Sequence, residues 1–110
     1  EVICGYLYDE VLGDFLLCGS GGTDTEAARD VCLIPMPATE QEIKEALAST
    51  RIGRTHLTSS REIASAVDVL TRLQHIARDS DGQLRELEIN PLIVNASGSV
   101  AVDALAVPRL

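Results

Sequence analysis

The sequence has no tryptophan and only three other aromatic residues, Tyr6, Tyr8 and Phe15. That is too few to build the stacking platforms on which single-stranded nucleic acids lie. Basic charge is scarce as well: 9 Lys and Arg stand against 17 Asp and Glu, for a formal net charge of −8. Nucleic acid and anionic membrane both require a basic footprint, so neither is an expected partner. A nucleotide held through a metal ion is compatible with the same balance. No run approaches the roughly 20 apolar residues of a membrane-spanning helix, and no signal-peptide pattern is visible. The three cysteines, Cys4, Cys18 and Cys32, are odd in number and each sits in an apolar run. Their spacing makes neither a disulfide framework nor a zinc site. They read as buried, reduced, structural thiols, which implies a reducing compartment such as the cytoplasm.

Several catalytic patterns are absent too. His56 and His75 have no Cys or His neighbour at ligand spacing, and no Ser/His/Asp or Cys/His arrangement is visible. Asp79-Ser80-Asp81-Gly82 resembles the start of a calcium loop but lacks the third ligand before the glycine and the distal Glu. Gly19-Ser20-Gly21-Gly22-Thr23-Asp24 is glycine-rich without the Gly-Lys-Ser/Thr ending of a P-loop. Its glycines would let backbone N–H groups approach an anion closely, and they would equally serve a tight turn.

What is present suffices for one modest core: 110 residues, 45% of them apolar. The chain reads as a single domain over 1–110. Glu1 opens directly into the apolar run Val2–Tyr8, which suggests a piece of a longer chain. Residues 2–8, 15–18 and 31–34 read as strands, the first two joined as an antiparallel pair, while 26–30 is ambiguous. Pro35 and Pro37 stop the third strand. Thr39-Glu40-Gln41-Glu42 is a capping box, and Ile43, Ala46 and Leu47 extend it into a helix over about 40–49. Arg51–Thr58 reads as a solvated basic loop. Ser59 and Glu62 form a second capping box before a stripe of Ile63, Val67, Leu70, Leu73, Ile76 and Ala77, an amphipathic helix over roughly 60–78.

The most informative stretch follows. Glu86–Val94 and Ser99–Asp103 are two strand-like runs joined by the turn residues Asn95-Ala96-Ser97-Gly98, which predicts a β-hairpin. Closing that loop sets Val94 opposite Ser99, Leu92 opposite Ala101 and Asn90 opposite Asp103. Strict alternation then assigns Leu87, Ile89, Ile93, Val100, Val102 and Ala104 to the core. The other side gathers Glu88, Asn90 and Asp103 within cross-strand reach, an all-oxygen set suited to a hard divalent cation such as Mg²⁺. The element order β-β-β-α-α-β-β predicts an α+β fold, an antiparallel sheet with two helices packed on one face.

Glu88-x-Asn90-Pro91-Leu92, a turn, and Val102-Asp103-Ala104 resemble the C-terminal end of ATP-grasp domains. The likeness is greatest to the nucleoside-diphosphate-forming (ADP-forming) acyl-CoA synthetases and the succinyl-CoA synthetase β chain. It runs collinearly through Glu1-Val2-Ile3-x-Gly5, Asp9, Gly13, Gly19-x-Gly21-Gly22, Glu26, Asp30, Pro37 and Thr39. The resemblance implies the C-terminal subdomain of an ATP-grasp fold, with Asn90 and Asp103 as Mg²⁺–ATP ligands. It implies that Glu88 assists at the metal or at a phosphohistidine, and that Gly21 and Gly22 belong to a loop near the reacting phosphate. The implied reaction joins an acid and CoA with ATP, giving acyl-CoA, ADP and phosphate through acyl phosphate and phosphohistidine intermediates. Implied partners are the nucleotide, CoA, a small carboxylic acid, the N-terminal half of the ATP-grasp domain and a CoA-binding domain or subunit. No histidine here matches the phosphorylated one, and the 110 residues alone should be inactive. Two positions depart from the pattern: Asp14 replaces a frequent Pro, and Ile34 a frequent Arg. The second departure raises an alternative, a non-catalytic ATP-grasp-like regulatory module of a protein lysine acetyltransferase.

Overall fold

A computed structural model of the chain describes residues 1–22, 30–57 and 59–110. Thr23 and Asp24 of the glycine-rich stretch, the ambiguous 26–29 with Glu26, and Thr58 lie outside the described residues. The elements run β1 (Val2–Asp9), β2 (Gly13–Ser20), β3 (Val31–Pro35), α1 (Glu40–Ser49), α2 (Arg51–Thr55), α3 (Ser60–Asp79), β4 (Leu84–Asn95), β5 (Gly98–Ala101) and β6 (Ala104–Pro108). All strand pairings are antiparallel, in the order β3-β2-β1-β4-β5, and β6 continues along the same edge of β4 that β5 occupies. The fold is therefore α+β as expected, with three helices among the described residues where the sequence suggested two.

One face of the sheet makes the core. Val2, Cys4, Tyr6, Leu16, Cys18, Ile34 and Leu92 point into it, and Ile43, Leu47, Val67, Leu70 and Leu73 come down from α1 and α3. Burying such side chains stabilises the fold by about 1.5–3 kcal/mol each. The helix starts follow the predicted caps. Thr39 Oγ1 accepts from Glu42 N at 3.1 Å while Thr39 N donates to Glu42 Oε1 at 3.0 Å, and Ser59 Oγ accepts from Glu62 N at 3.1 Å. Gln74 is a buried polar side chain on α3, and both polar atoms of its amide are hydrogen-bonded. Oε1 accepts from Ala38 N at 2.7 Å and Nε2 donates to Ala38 O at 3.0 Å, pinning the segment ahead of α1 to α3.

The structure corrects the sequence reading at three places. Arg51–Thr55 is not loop but a short helix. Two caps hold it: Thr50 Oγ1 accepts from Gly53 N at 3.1 Å, and the Asp30 carboxylate accepts from Arg51 N at 2.6 Å and Ile52 N at 2.9 Å. Residues after Asp103, expected only to finish the hairpin, form a sixth strand. The third correction concerns the hairpin's faces. Its register is as predicted, with Leu92 opposite Ala101 and Val94 opposite Ser99. Yet Leu92 is 1% exposed and Val94 packs on the core, while Val100 and Val102 are each 62% exposed and Ala104 is exposed too. Ile93 is only half-buried and is not among the core-packed residues. The cause is a β-bulge. Cys4 pairs with Ile89 but Val2 pairs with Leu92, so three steps on β4 match two on β1. The extra residue inverts the alternation beyond Asn90–Pro91, whose peptide bond is cis. Ala104, by contrast, pairs with Ile89 before the bulge and is exposed because β6 lies at the sheet edge. Leu87 and Ile89, before the bulge, do pack against the core.

Candidate functional site

The face of the sheet away from the helices carries the candidate residues. Gly5 pairs with Glu88 while Tyr6 pairs with Leu87 and Cys4 with Ile89, so Glu88 lies opposite in sense to the core-facing side chains. Two residues on, the bulge interrupts β4 at Asn90. The neighbouring edge is interrupted at the same level, because β5 ends at Ala101 and β6 begins at Ala104. Across this double break Asn90 N donates to Asp103 O at 3.2 Å, and Val102 N donates to Pro91 O at 3.1 Å. Glu88, Asn90 and Asp103 thereby line a single open depression of about 310 Å³, completed by Ala104 and Leu105.

The glycine-rich stretch reaches the same place from β2. Gly21 N donates to Glu1 O at 3.1 Å, and Gly22 N donates to Asn90 Oδ1 at 2.9 Å. A Cβ at Gly21 would lie 2.8 Å from the Val2 carbonyl carbon and 3.0 Å from Asn90 Oδ1, so any side chain there would push β1 and the amide apart. Gly22 has φ +97°, a region that L side chains rarely adopt. Glu88, Asn90 and Asp103 line the depression and Gly22 bonds directly to one of them, while Gly21 lies beside Asn90 and bonds instead to Glu1 O. Alternation alone could not have found the Gly22–Asn90 bond, which joins residues 68 apart in sequence.

The donor set is two carboxylates and one amide oxygen. Asp103 Oδ1 accepts from Ala104 N at 2.9 Å, which fixes its rotamer and leaves Oδ2 to face outward chemistry. Asn90 Oδ1 uses one lone pair on Gly22 and retains the other. Such oxygens fit Mg²⁺, which takes one or two protein ligands and leaves the rest of its shell to water and phosphate. Among the described residues no group of three or more His, Cys, Asp and Glu side chains converges to hold a metal by itself. A larger depression of about 590 Å³ lies between α1 and α3, lined by Glu40, Lys44, Ile63 and Val67 among others, and contains none of the candidates.

The two departures from the family pattern acquire structural explanations. Ile34 is 5% exposed and belongs to the core beneath the helices, on the opposite side of the sheet from Glu88. Its apolar side chain packs in that core and does not line the depression. Asp14 accepts a hydrogen bond from Tyr6 Oη at 2.6 Å, near Arg109 at the end of the sheet far from Asn90. His56 and His75 are both exposed, as expected. Among the described residues no helix is long and apolar enough to cross a membrane.

Comparison with known proteins supplies a context for this arrangement. The sequence model of the ATP-grasp domain matches residues 1–107. The chain is 26% identical to the β subunit of an ADP-forming acetate–CoA ligase II from Pyrococcus furiosus, over 94% of this chain and 47% of that subunit. It is 28% identical to an ADP-forming acetate–CoA ligase II from Archaeoglobus fulgidus, over 94% of this chain and 16% of that protein. Its fold superposes with a TM-score of 0.85 and 26% identity on a dinucleotide-forming acetyl-coenzyme A synthetase of Ca. Korarchaeum cryptofilum. That structure holds coenzyme A and Mg-AMPPCP, with its phosphohistidine segment pointing towards the nucleotide-binding site, and the match covers 99% of this chain and 53% of that one. The chain thus spans about half, or less, of the proteins it matches.

Proposed function

Because the chain belongs to the ATP-grasp family, we propose that it forms the Mg²⁺–ATP-binding part of an ADP-forming acyl-CoA synthetase. The overall conversion would be acid, CoA and ATP to acyl-CoA, ADP and phosphate, by way of an acyl phosphate and a phosphohistidine carried elsewhere in the intact protein. The carrying observation is the shared depression of Glu88, Asn90 and Asp103, with the Gly22 N–H bonded to Asn90 Oδ1 at its rim.

Roles follow from the chemistry of each group. Asn90 and Asp103 would hold Mg²⁺ through oxygen, with the hydrogen bond from Asn90 N to Asp103 O keeping the two residues together. When bound, that ion neutralises charge on the transferring phosphate. Glu88, the other carboxylate of the depression, would orient ligand water or the incoming imidazole. Gly21 and Gly22, their N–H groups bonded to Glu1 O and Asn90 Oδ1, would let the backbone beside Asn90 lie close to a phosphate without an intervening side chain. Among the described residues no helix covers the face that carries Glu88, and Leu33 on that face is 50% exposed. The chain therefore supplies one wall of a cleft, and the other wall, with CoA and acid recognition, would come from regions present in the relatives but outside these 110 residues. A reducing, cytoplasmic setting suits the free thiols.

The test is nucleotide affinity in the intact protein. Asp103→Ala is expected to weaken Mg²⁺–ATP binding at least tenfold by titration calorimetry, with affinity for CoA retained. Unchanged nucleotide affinity would sink the assignment.

A further inference from the structure

The three cysteines share one cross-strand level. Cys4 on β1 lies opposite Cys18 on β2, and Cys18 lies opposite Cys32 on β3, so the middle thiol has a neighbour on each side. Backbone bonding identifies the kind of pair at each position. Gly21 N donates to Glu1 O, which makes Glu1–Gly21 a hydrogen-bonded pair. Cys4–Cys18 is an odd number of steps along and is therefore the non-bonded kind, with Cα atoms about 4.5 Å apart. Ser20 N donates to Asp30 O, and two steps on Cys18–Cys32 is a hydrogen-bonded pair, with Cα atoms about 5.5 Å apart. Both spacings lie within the roughly 4.4–6.8 Å that a disulfide can bridge.

Access separates the three. Cys4 and Cys18 are fully buried, whereas Cys32 is partly exposed. Burial, with the adjacent Cys32 and Asp30 adding to it, pushes the Cys18 thiol up to about 12, and burial raises Cys4 further. Neither inner thiol reacts unaided with a dissolved oxidant.

We propose that Cys32 and Cys18 form an oxidisable thiol pair, in which Cys32 meets a peroxide and Cys18 resolves the product. The Cys32 sulfur gives two electrons to the peroxide O–O bond, becoming a sulfenic acid and releasing one water. The Cys18 sulfur then attacks the Cys32 sulfur; its proton leaves with the displaced hydroxyl as a second water, and the S–S bond forms. Two thiols and one peroxide thus become one disulfide and two waters. The bond encloses Gly21 and Gly22 in a covalent loop.

The experiment treats the 110-residue chain with equimolar hydrogen peroxide, alkylates the free thiols and maps peptides without reduction. Alkylated thiols should fall from the 3 of the untreated chain to one, with Cys18 in an intrachain disulfide. Cys32→Ser, at a partly exposed position that tolerates the change, should leave both remaining thiols alkylatable at the same dose. Cys4→Ala should still yield the Cys18–Cys32 bond. Three alkylated thiols after treatment, dimers linked through Cys32, Cys32 sulfinic acid without loss of the Cys18 thiol, or undiminished oxidation of Cys32→Ser would each overturn the proposal.

Discussion

Tyr6 shows how much a single side chain can organise at the end of the sheet far from Asn90 and Asp103. Its hydroxyl donates to Asp14 Oδ1 at 2.6 Å, and Arg109 Nη2 donates to Tyr6 Oη at 3.4 Å and to Leu84 O at 3.3 Å. The Arg109 guanidinium also stacks over the Tyr8 ring, 3.5 Å from its centroid. Burial raises the Tyr6 phenol to about 12; the hydrogen bond and charge of Asp14 add to this, and Arg109 offsets part of it. A raised phenol is neutral in the fold, so its stabilisation is complete below the ordinary value near 10 and is lost as pH rises through 12. Tyrosinate absorbance should therefore show a step near pH 12 that unfolding accompanies, and Tyr6→Phe should abolish that step. A step of undiminished size in Tyr6→Phe would contradict this account. Asp14 was visible in the sequence as a departure from the family pattern. Its partner Arg109 was not, because no local period connects positions that far apart.

At the scale of elements, α2 is the instructive case. Five residues containing a glycine carry no helical period, and the cap that secures them comes from Asp30, more than 20 residues earlier. Asp30 also accepts from Ser20 Oγ at 2.5 Å, so one carboxylate ties the end of β2 to the start of α2. Burial works against its ionisation, but the Ser20 bond and the two backbone N–H groups prevail and hold its carboxyl below the usual range. A depressed carboxyl stabilises the fold above the ordinary value near 4, and that contribution fades as pH falls through the folded value. Asp30→Ala should lower stability by about 1–3 kcal/mol in urea unfolding at neutral pH, with the difference from the parent shrinking in acid. A difference that stayed constant with pH would mean that the carboxylate is not the stabilising group. The longer elements were legible because their signals are local: capping boxes at Thr39 and Ser59, the stripe along α3, the turn at 95–98. β6 was missed because Ala104-Leu105-Ala106-Val107 neither alternates nor carries turn residues, and its place is set by pairing with β4.

At the scale of the molecule, the helices cover one side of the sheet and leave the other, with Glu88, Leu33 and the 54%-exposed Leu105, open. A phosphoryl-transfer site needs both charge neutralisation and exclusion of water, and a single wall provides only the first. The 110 residues by themselves are accordingly expected to form no ATP from acyl-CoA, phosphate and ADP. Nucleotide formation above the rate of an Asp103→Ala control would contradict the half-cleft description. The candidate site was legible as residue types and register, since Asn90 and Asp103 fall opposite each other once the turn is closed. Its depth in the fold was not, because alternation was carried straight through Asn90–Pro91. The bulge there works as a phase shift in a two-beat pattern: residues before it and after it are counted from different origins, so both halves of β4 can send leucines inward while the amide between them stays outside. A motif grafted into another hairpin would have to take that odd residue along. Deleting Pro91 would not shorten the strand so much as put Leu92 and Val94 in water.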